Sequence, residues 1–361
     1  MIFPRPRLST LNLITVNRSS ILHNLSYFQN KYPDKHIWPV LKSNAYGHGL
    51  TQVVSILKSQ TFDYYVVDSY YEALQIWRYH RHPVLLIGPN HPDNLSRFRF
   101  KNLALTVNNL TSLKVLASLN RQIKIHLKIN TGMNRQGLDP GKLNSALNLI
   151  KSNPQLNLEG LCSHLADADN SDQSFTKKQE SIFKDCLKKV HQFGFSPRFV
   201  HLSATAGAGS TKVGNTIRLG LGLYGYGLPQ LTPALTLTST ITDSHLLQKG
   251  DTVSYNRTFT AQKATNIAII PFGYFEGFDC RLSNLGFVKY KNKYHQIAGR
   301  VCMNLTCLNF VSTKPKLFSP VEVVSPNPAD KNSLATQARL TDTIIYELLV
   351  HLSPTLRRRV I

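Results

Sequence analysis

Lys42 closes a short apolar run, His36 to Leu41, and is followed by Ser43, Asn44, Ala45, Tyr46, Gly47, His48 and Gly49. An amine at the dry mouth of a strand can condense with a carbonyl to a Schiff base and move protons at carbon. By itself a strand-end lysine is more often merely solvated, so the reading depends on the residues that accompany it. Arg135, His164, Thr205 and Arg218 follow at or near the ends of later apolar runs. His164 alone would be a hydrogen-bonded core histidine before it would be catalytic. The Thr205 hydroxyl, with the backbone N–H groups of the turn that starts at Gly220 and Leu221, can surround a phosphate, whereas the glycines alone would be ordinary turn residues.

Eight short, β-branched runs alternate with segments of helical period: 36–41, 62–67, 83–87, 103–106, 123–129, 156–162, 198–202 and 215–221. Between them lie helical segments such as Ser174 to Phe193, where Ile182, Phe183, Cys186, Leu187, Val190 and Phe193 recur at spacings of three and four. Eight strands predict a closed α/β barrel of the TIM type, with a doubly wound open sheet as the alternative. The position of Lys42, Arg135, His164, Thr205 and Arg218 at strand ends one, five, six, seven and eight favours the barrel, which builds its sites there. After about residue 230 the helical period gives way to alternating runs at 234–241, 251–259, 265–271, 287–290 and 317–324, which predict a mostly β domain. The expected division is a barrel over 1–230 and a β domain over 231–361. The first ten or so residues are candidates to pack on the β domain.

A chain of 361 residues accommodates two such domains, and 42% hydrophobic residues with glycine and proline scattered throughout is a globular composition. No apolar run approaches the roughly 20 residues that cross a bilayer. The stretch from Met1 to Ser20 carries Arg5, Arg7 and Arg18 around an apolar part broken by Ser9, Thr10 and Asn12, unlike an export signal. Five cysteines with no C-x-x-C pair argue against a disulfide framework or a zinc ribbon and fit a reducing cytoplasm. The formal charge of +22 raises nucleic acid as a partner, but the basic residues are dispersed. Arg357, Arg358 and Arg359 form the single run, read as a solvated tail. The expected chain is soluble and cytoplasmic, binds no nucleic acid or membrane and holds no metal.

The Lys42 stretch resembles the cofactor-lysine motif K-A-N-A-Y-G-H-G of the alanine racemase family, with Ser43 in place of alanine. Further segments match that family in order along nearly the whole chain. Lys128 to Gly137 is similar to K-x-D-T-G-M-x-R-x-G, with Asn130 for aspartate, and Ser163 to Asp167 is similar to its strand-six motif. His201 to Ala206 and Arg218 to Gly225 resemble the strand-seven and strand-eight loops, with Ala204-Thr205 for Asn-Ser. Val253 to Phe259 resembles V-S-Y-G-R-T-W with Asn256 for glycine, Ile270 to Phe278 resembles I-P-x-G-Y-A-D-G-Y, Gly299 to Asn304 resembles G-R-V-C-M-D with Asn304 for aspartate, and Thr343 to Glu347 resembles T-I-N-Y-E.

The resemblance implies a racemase that uses pyridoxal 5'-phosphate to interconvert L- and D-alanine by two-base proton transfer. Lys42 would hold the cofactor as an aldimine and serve one face of the substrate Cα, and Tyr255 the other. Without the family, Tyr255 would read as a cross-strand tyrosine. Tyr46, His164, Thr205, Arg218, Gly220, Leu221 and Tyr346 would bind the cofactor. Arg135 would grip the substrate carboxylate, with a surface ion pair as its bland reading, and Met303 would line the substrate site. Lys128 is a carbamylation candidate. A guanidinium never gives up its proton, so Arg218 beside the pyridine nitrogen would leave that nitrogen neutral and the cofactor a weaker electron sink. The family also implies a homodimer in which each site takes its tyrosine from the partner, and a role in D-alanine supply for peptidoglycan. A racemase of serine or of broader specificity, and a non-catalytic pyridoxal-phosphate carrier, are the alternatives.

Overall fold

A computed structural model describes residues 9–361. The expectation for residues 1–8 therefore lies outside the described residues. Two compact units emerge: one holds residues 21–45 and 53–231, the other the described residues up to Ser20 together with 46–52 and 232–361.

The first unit is the barrel. Counting β1 as Leu13–Val16 in the other unit, its staves are β2 (His36–Pro39), β3 (Tyr65–Val67), β4 (Val84–Leu86), β5 (Leu103–Val107), β6 (Ile123–Lys128), β7 (Leu156–Cys162), β8 (Phe199–His201) and β9 (Thr216–Leu219). Strands β3 to β8 pair in parallel in chain order, and β2 pairs in parallel with β9. The ring closes at two seams. Leu41 N–H donates to the Val66 carbonyl at 2.8 Å, and Asn215 N–H donates to the Val200 carbonyl at 2.9 Å. Every residue of β3, β4 and β5 is buried, as strands covered on both faces require.

Rings fill the interior. Fully buried Trp38 stands edge-on to Tyr64, Phe199 and His201 at 5.2, 4.8 and 5.3 Å, and its Nε1 donates to Asp63 Oδ2 at 3.0 Å. The outer helices are fixed by local chemistry. Ser69 and Glu72 form a reciprocal capping box at the start of Tyr70–Trp77. The longest helix, Ser174–Gln192, buries Phe183, Cys186 and Val190 along one stripe, as its spacing predicts.

The second unit is built on a nine-stranded sheet. With β12 (Thr252–Val253) and β13 (Phe259–Thr260) forming a separate ribbon, its strands are β1, β10 (Leu235–Thr240), β11 (Asp243–Leu247), β14 (Thr265–Ile270), β15 (Phe287–Tyr290), β16 (Lys293–Ile297), β17 (Thr306–Val311), β18 (Pro320–Val324) and β19 (Arg357–Val360). Two expectations change here. The arginine run is no solvated tail: Arg357–Val360 is β19, paired in parallel with β1 from Leu13↔Arg357 to Val16↔Val360. Arg358 donates from Nε to the Gly47 carbonyl at 2.8 Å and from Nη2 to the Ser353 carbonyl at 3.1 Å. Alternation placed three arginines in a strand, and the sequence reading took their charge as decisive. Helical structure also persists late in the chain, at Leu334–Leu340 and Ile345–His351.

Candidate active site

The C-terminal mouth of the barrel gathers cations. Lys42 follows β2 after the bridge residue Val40, Lys128 ends β6, Arg135 lies in the next loop, His164 stands two residues beyond β7, and Arg218 is the third residue of β9. The chain past Lys42 leaves the right-handed helical region. Ser43, Asn44, Ala45 and Tyr46 all take φ between 51° and 56°, a left-handed turn, and Gly47 continues it at 77°. For residues with a Cβ this costs roughly 1 kcal/mol or more each and needs external support. Glu72 gives some of it, accepting from Ser43 N–H at 2.6 Å.

Arg218 is buried, 7% exposed, and held from several directions. Nη1 donates to His201 Nδ1 and to the His201 carbonyl at 2.9 Å. Nη2 donates to the carbonyls of Ser163 (2.9 Å) and Leu202 (3.0 Å) and to His164 Nδ1 (3.1 Å). Because a guanidinium only donates, each of these imidazole nitrogens must be bare and accepting. Burial, then the charges of Arg218, Lys128, Arg135 and Lys42, push the His164 pKa down to about 3. Burial lowers the Lys128 pKa, with Arg218, Arg135 and Lys42 adding to the effect against an opposing Cys162. Four cations and neutral imidazoles thus share one mouth. Lys128 Nζ donates to Gln136 Oε1 at 3.1 Å, and Asn130 ties the Arg135 loop by accepting from Gly132 and Asn134 N–H at 3.2 and 3.0 Å.

Beyond the C-terminal ends of β8 and β9, Thr205 Oγ1 accepts from Gly222 N–H at 3.0 Å, joining the β8 loop to the short turn Leu221–Tyr224 that follows Gly220. A Cβ on Gly222 would stand 2.7 Å from Thr205 Cγ2, so only glycine fits. The buried Ser203 and Tyr226 hydroxyls, near in sequence to Thr205 and Gly222, have no hydrogen-bond partner. The sequence reading did not single them out. A serine and a tyrosine in loops carry no mark until burial shows them unpaired.

The remaining candidates lie in the β unit. Tyr46 and Tyr346 face each other with ring centroids 5.9 Å apart. Tyr255 is 71% exposed on the turn Tyr255–Arg257, where Asn256 takes φ 59°, an angle asparagine tolerates in place of glycine. The run 251–259 is therefore two short strands around a turn and not one strand. Ser254 Oγ donates to the Arg300 carbonyl at 2.8 Å and lies 3.3 Å from Cys302 Sγ, which sets the Tyr255 turn beside the loop of the exposed Met303. Asn304, standing for an acid, donates to Glu276 Oε1 at 2.8 Å.

Residues 16–228 match the family model "Alanine racemase, N-terminal domain", and residues 234–360 match "Alanine racemase, C-terminal domain". The chain belongs to the alanine racemase family. The alanine racemase of Borreliella burgdorferi strain ZS7 is 32% identical over 366 residues, covering 96% of each chain, and that of Lactobacillus acidophilus is 32% identical over 371 residues at the same coverage. Among solved structures, alanine racemase from Bacillus anthracis with bound L-Ala-P superposes with a TM-score of 0.91 at 27% identity, covering 99% of this chain and 96% of that one. The barrel, the separate mostly β unit and the racemase assignment expected from the motifs stand on these matches.

Proposed function

We propose that the protein interconverts L- and D-alanine with pyridoxal 5'-phosphate held at Lys42. The observation that carries this is the barrel mouth. Four cations surround His164 with Arg218 locked among them, while the Thr205–Gly222 rim offers hydroxyl and backbone donors beside two unpaired buried hydroxyls. A phosphate and a carboxylate are the charges such a mouth attracts, and a donor-only guanidinium suits a ring nitrogen that stays unprotonated. The residues present therefore fit the group. Bound there, pyridoxal phosphate supplies an electron-withdrawing system that acidifies the substrate Cα–H.

The chain's own residues do the rest. Lys42 anchors the cofactor and, once released, takes or returns a proton on one face of Cα. Tyr255, supplied by a second copy of the chain, serves the other face. Arg135 grips the carboxylate, and Lys128, by carbamylation or through Gln136, steadies it. Arg218 holds the ring nitrogen without giving up a proton, and His164 supports Arg218. Thr205, Gly220 and Leu221 would hold the phosphate, Tyr46 and Tyr346 are further cofactor-binding residues of this reading, and Met303 a substrate-binding one. Support for a homodimer comes from large apolar side chains left exposed around the Tyr255 and Met303 loops. Tyr274, Phe275, Met303 and Leu305 are each 46–58% exposed, and backbone bonds from Tyr274 to Cys302 and from Phe275 to Met303 join them. The division near residue 230, a cytoplasmic location and service to peptidoglycan synthesis belong to the same reading.

The test is asymmetric isotope exchange. In deuterated solvent, Tyr255→Phe should slow exchange from L-alanine far more than from D-alanine. Equal losses from both enantiomers would contradict a role on one face.

A further inference from the structure

Arg218 is a buried cation with no carboxylate in ion-pairing distance among the described residues. Leaving a charge there without compensation is costly, so its counter-charge must be sought further off. Following its hydrogen bonds inward leads to one. His201 Nδ1 accepts from Arg218, and His201 Nε2 lies 2.8 Å from His126 Nδ1. His126 Nε2 lies 3.4 Å from Glu159 Oε2. Glu159 is 8% exposed, pairs through Oε1 with Lys124 at 2.8 Å, and accepts from the Tyr64 hydroxyl. Both imidazoles are essentially inaccessible, at 1% and 0% exposure.

The direction of every proton in this chain is fixed by its ends. Arg218 can only donate, so His201 Nδ1 is bare and His201 Nε2 carries the hydrogen, which points at His126 Nδ1. That atom is then an acceptor, and His126 donates from Nε2 to a carboxylate that can only accept. Reversing any link would set two donors against each other at Arg218. Burial, then the positive charges of Arg218 and Lys128, hold His201 far below its usual pKa. Burial lowers His126 too, against the pull of Glu159, with Arg218 and Lys124 adding to the lowering. Burial acts to raise the Glu159 carboxyl, but the bonds from His126, Lys124 and Tyr64 hold it at about 2.

We propose that Glu159, through His126 and His201 in single fixed tautomers, is the buried counter-charge of Arg218 and a positioning residue for it. The proposal rests on the racemase reading only in giving Arg218 its task. The chain itself is a property of the folded barrel. Neutral imidazoles hand the negative end of the carboxylate to the guanidinium across the barrel interior, and this orients Arg218 without placing an acid beside the ring it serves.

The experiment uses the full-length protein and needs neither cofactor nor turnover. Two-bond 1H–15N correlation of 15N-histidine-labelled protein should show His126 and His201 neutral, protonated at Nε2 and bare at Nδ1, without change from mildly acid to mildly alkaline pH. A double-mutant cycle reads the coupling. Glu159→Gln should lower the denaturation midpoint clearly more in the wild-type background than in Arg218→Met, and in His126→Leu that difference should vanish. An Nδ1-protonated ring, an imidazolium, equal losses in both backgrounds, or coupling that survives His126→Leu would each overturn the proposal. Should these results hold in a protein that forms no D-alanine, the racemase reading fails and the relay stands. The converse pattern removes the relay alone.

Discussion

Replacing Arg218 by lysine keeps the charge and removes the fork, and the structure sets the size of the effect. The guanidinium makes five bonds, to His201 Nδ1, His164 Nδ1 and the carbonyls of His201, Ser163 and Leu202. The His201 carbonyl also accepts from Ser163 N–H at 3.0 Å, so the three donors of an ammonium leave at least one of the other four acceptors bare. At about 1–3 kcal/mol for a stranded group, the barrel should lose at least about 1–3 kcal/mol. Both tryptophans, Trp38 and Trp77, lie in the barrel unit, and Trp38 packs on His201, so tryptophan fluorescence in a urea titration reports this unit alone. With slopes of about 1–3 kcal/mol per molar urea, the midpoint should fall by about 0.3 M or more. A midpoint within about 0.2 M of wild type would refute the reasoning, because the guanidinium would then not be held by these bonds.

Other consequences follow from the same geometry. Mixing Tyr255→Phe chains with Lys42→Ala chains should restore activity that neither has alone, since one site of a heterodimer would hold both native bases; an inactive mixture with proven subunit exchange would place both bases on one chain. The unfolded chain protonates His164, His126 and His201 near pH 6.5, while the folded chain refuses, so stability should fall as pH drops below that value, by about 1.4 kcal/mol per unit and per histidine until the folded pKa is reached. Acid titration of the urea midpoint checks this, and a flat profile down to pH 4 would contradict it. Gly222→Val should cut the affinity for added pyridoxal phosphate, read by absorbance, because the new side chain meets Thr205, Leu219 and Phe28 at 3.0 Å or less; unchanged affinity would remove the Thr205 rim from the site.

The barrel was legible because parallel strands buried on both faces leave unbroken apolar runs, and all eight appear where the sequence put them. The strand-end positions of the candidate residues were legible for the same reason. Lys42, His164 and Arg218 interrupt or close those runs, and the structure sets them at one mouth. Much of the β unit was harder. Strand β16 reads Lys-Tyr-His-Gln-Ile and β19 reads Arg-Arg-Arg-Val, half-polar stretches whose partners are distant in sequence. The left-handed turn after Lys42 was invisible, because Ser, Ala and Tyr disfavour positive φ, Asn44 alone tolerates it, and a run of four such residues has to be imposed by the surrounding fold. The His126–Glu159 link was missed because single polar residues inside apolar strands announce burial only when their partners on other strands are known.

The most direct measurement of the central claim is the conversion of L-alanine to D-alanine by the purified full-length protein with added pyridoxal phosphate, paired with borohydride trapping and peptide mass spectrometry. The account predicts approach to equal amounts of the two enantiomers, a trapped cofactor on Lys42, and neither in Lys42→Ala. A folded protein that forms no D-alanine, or one that carries the trapped label on another lysine while remaining active, would contradict it.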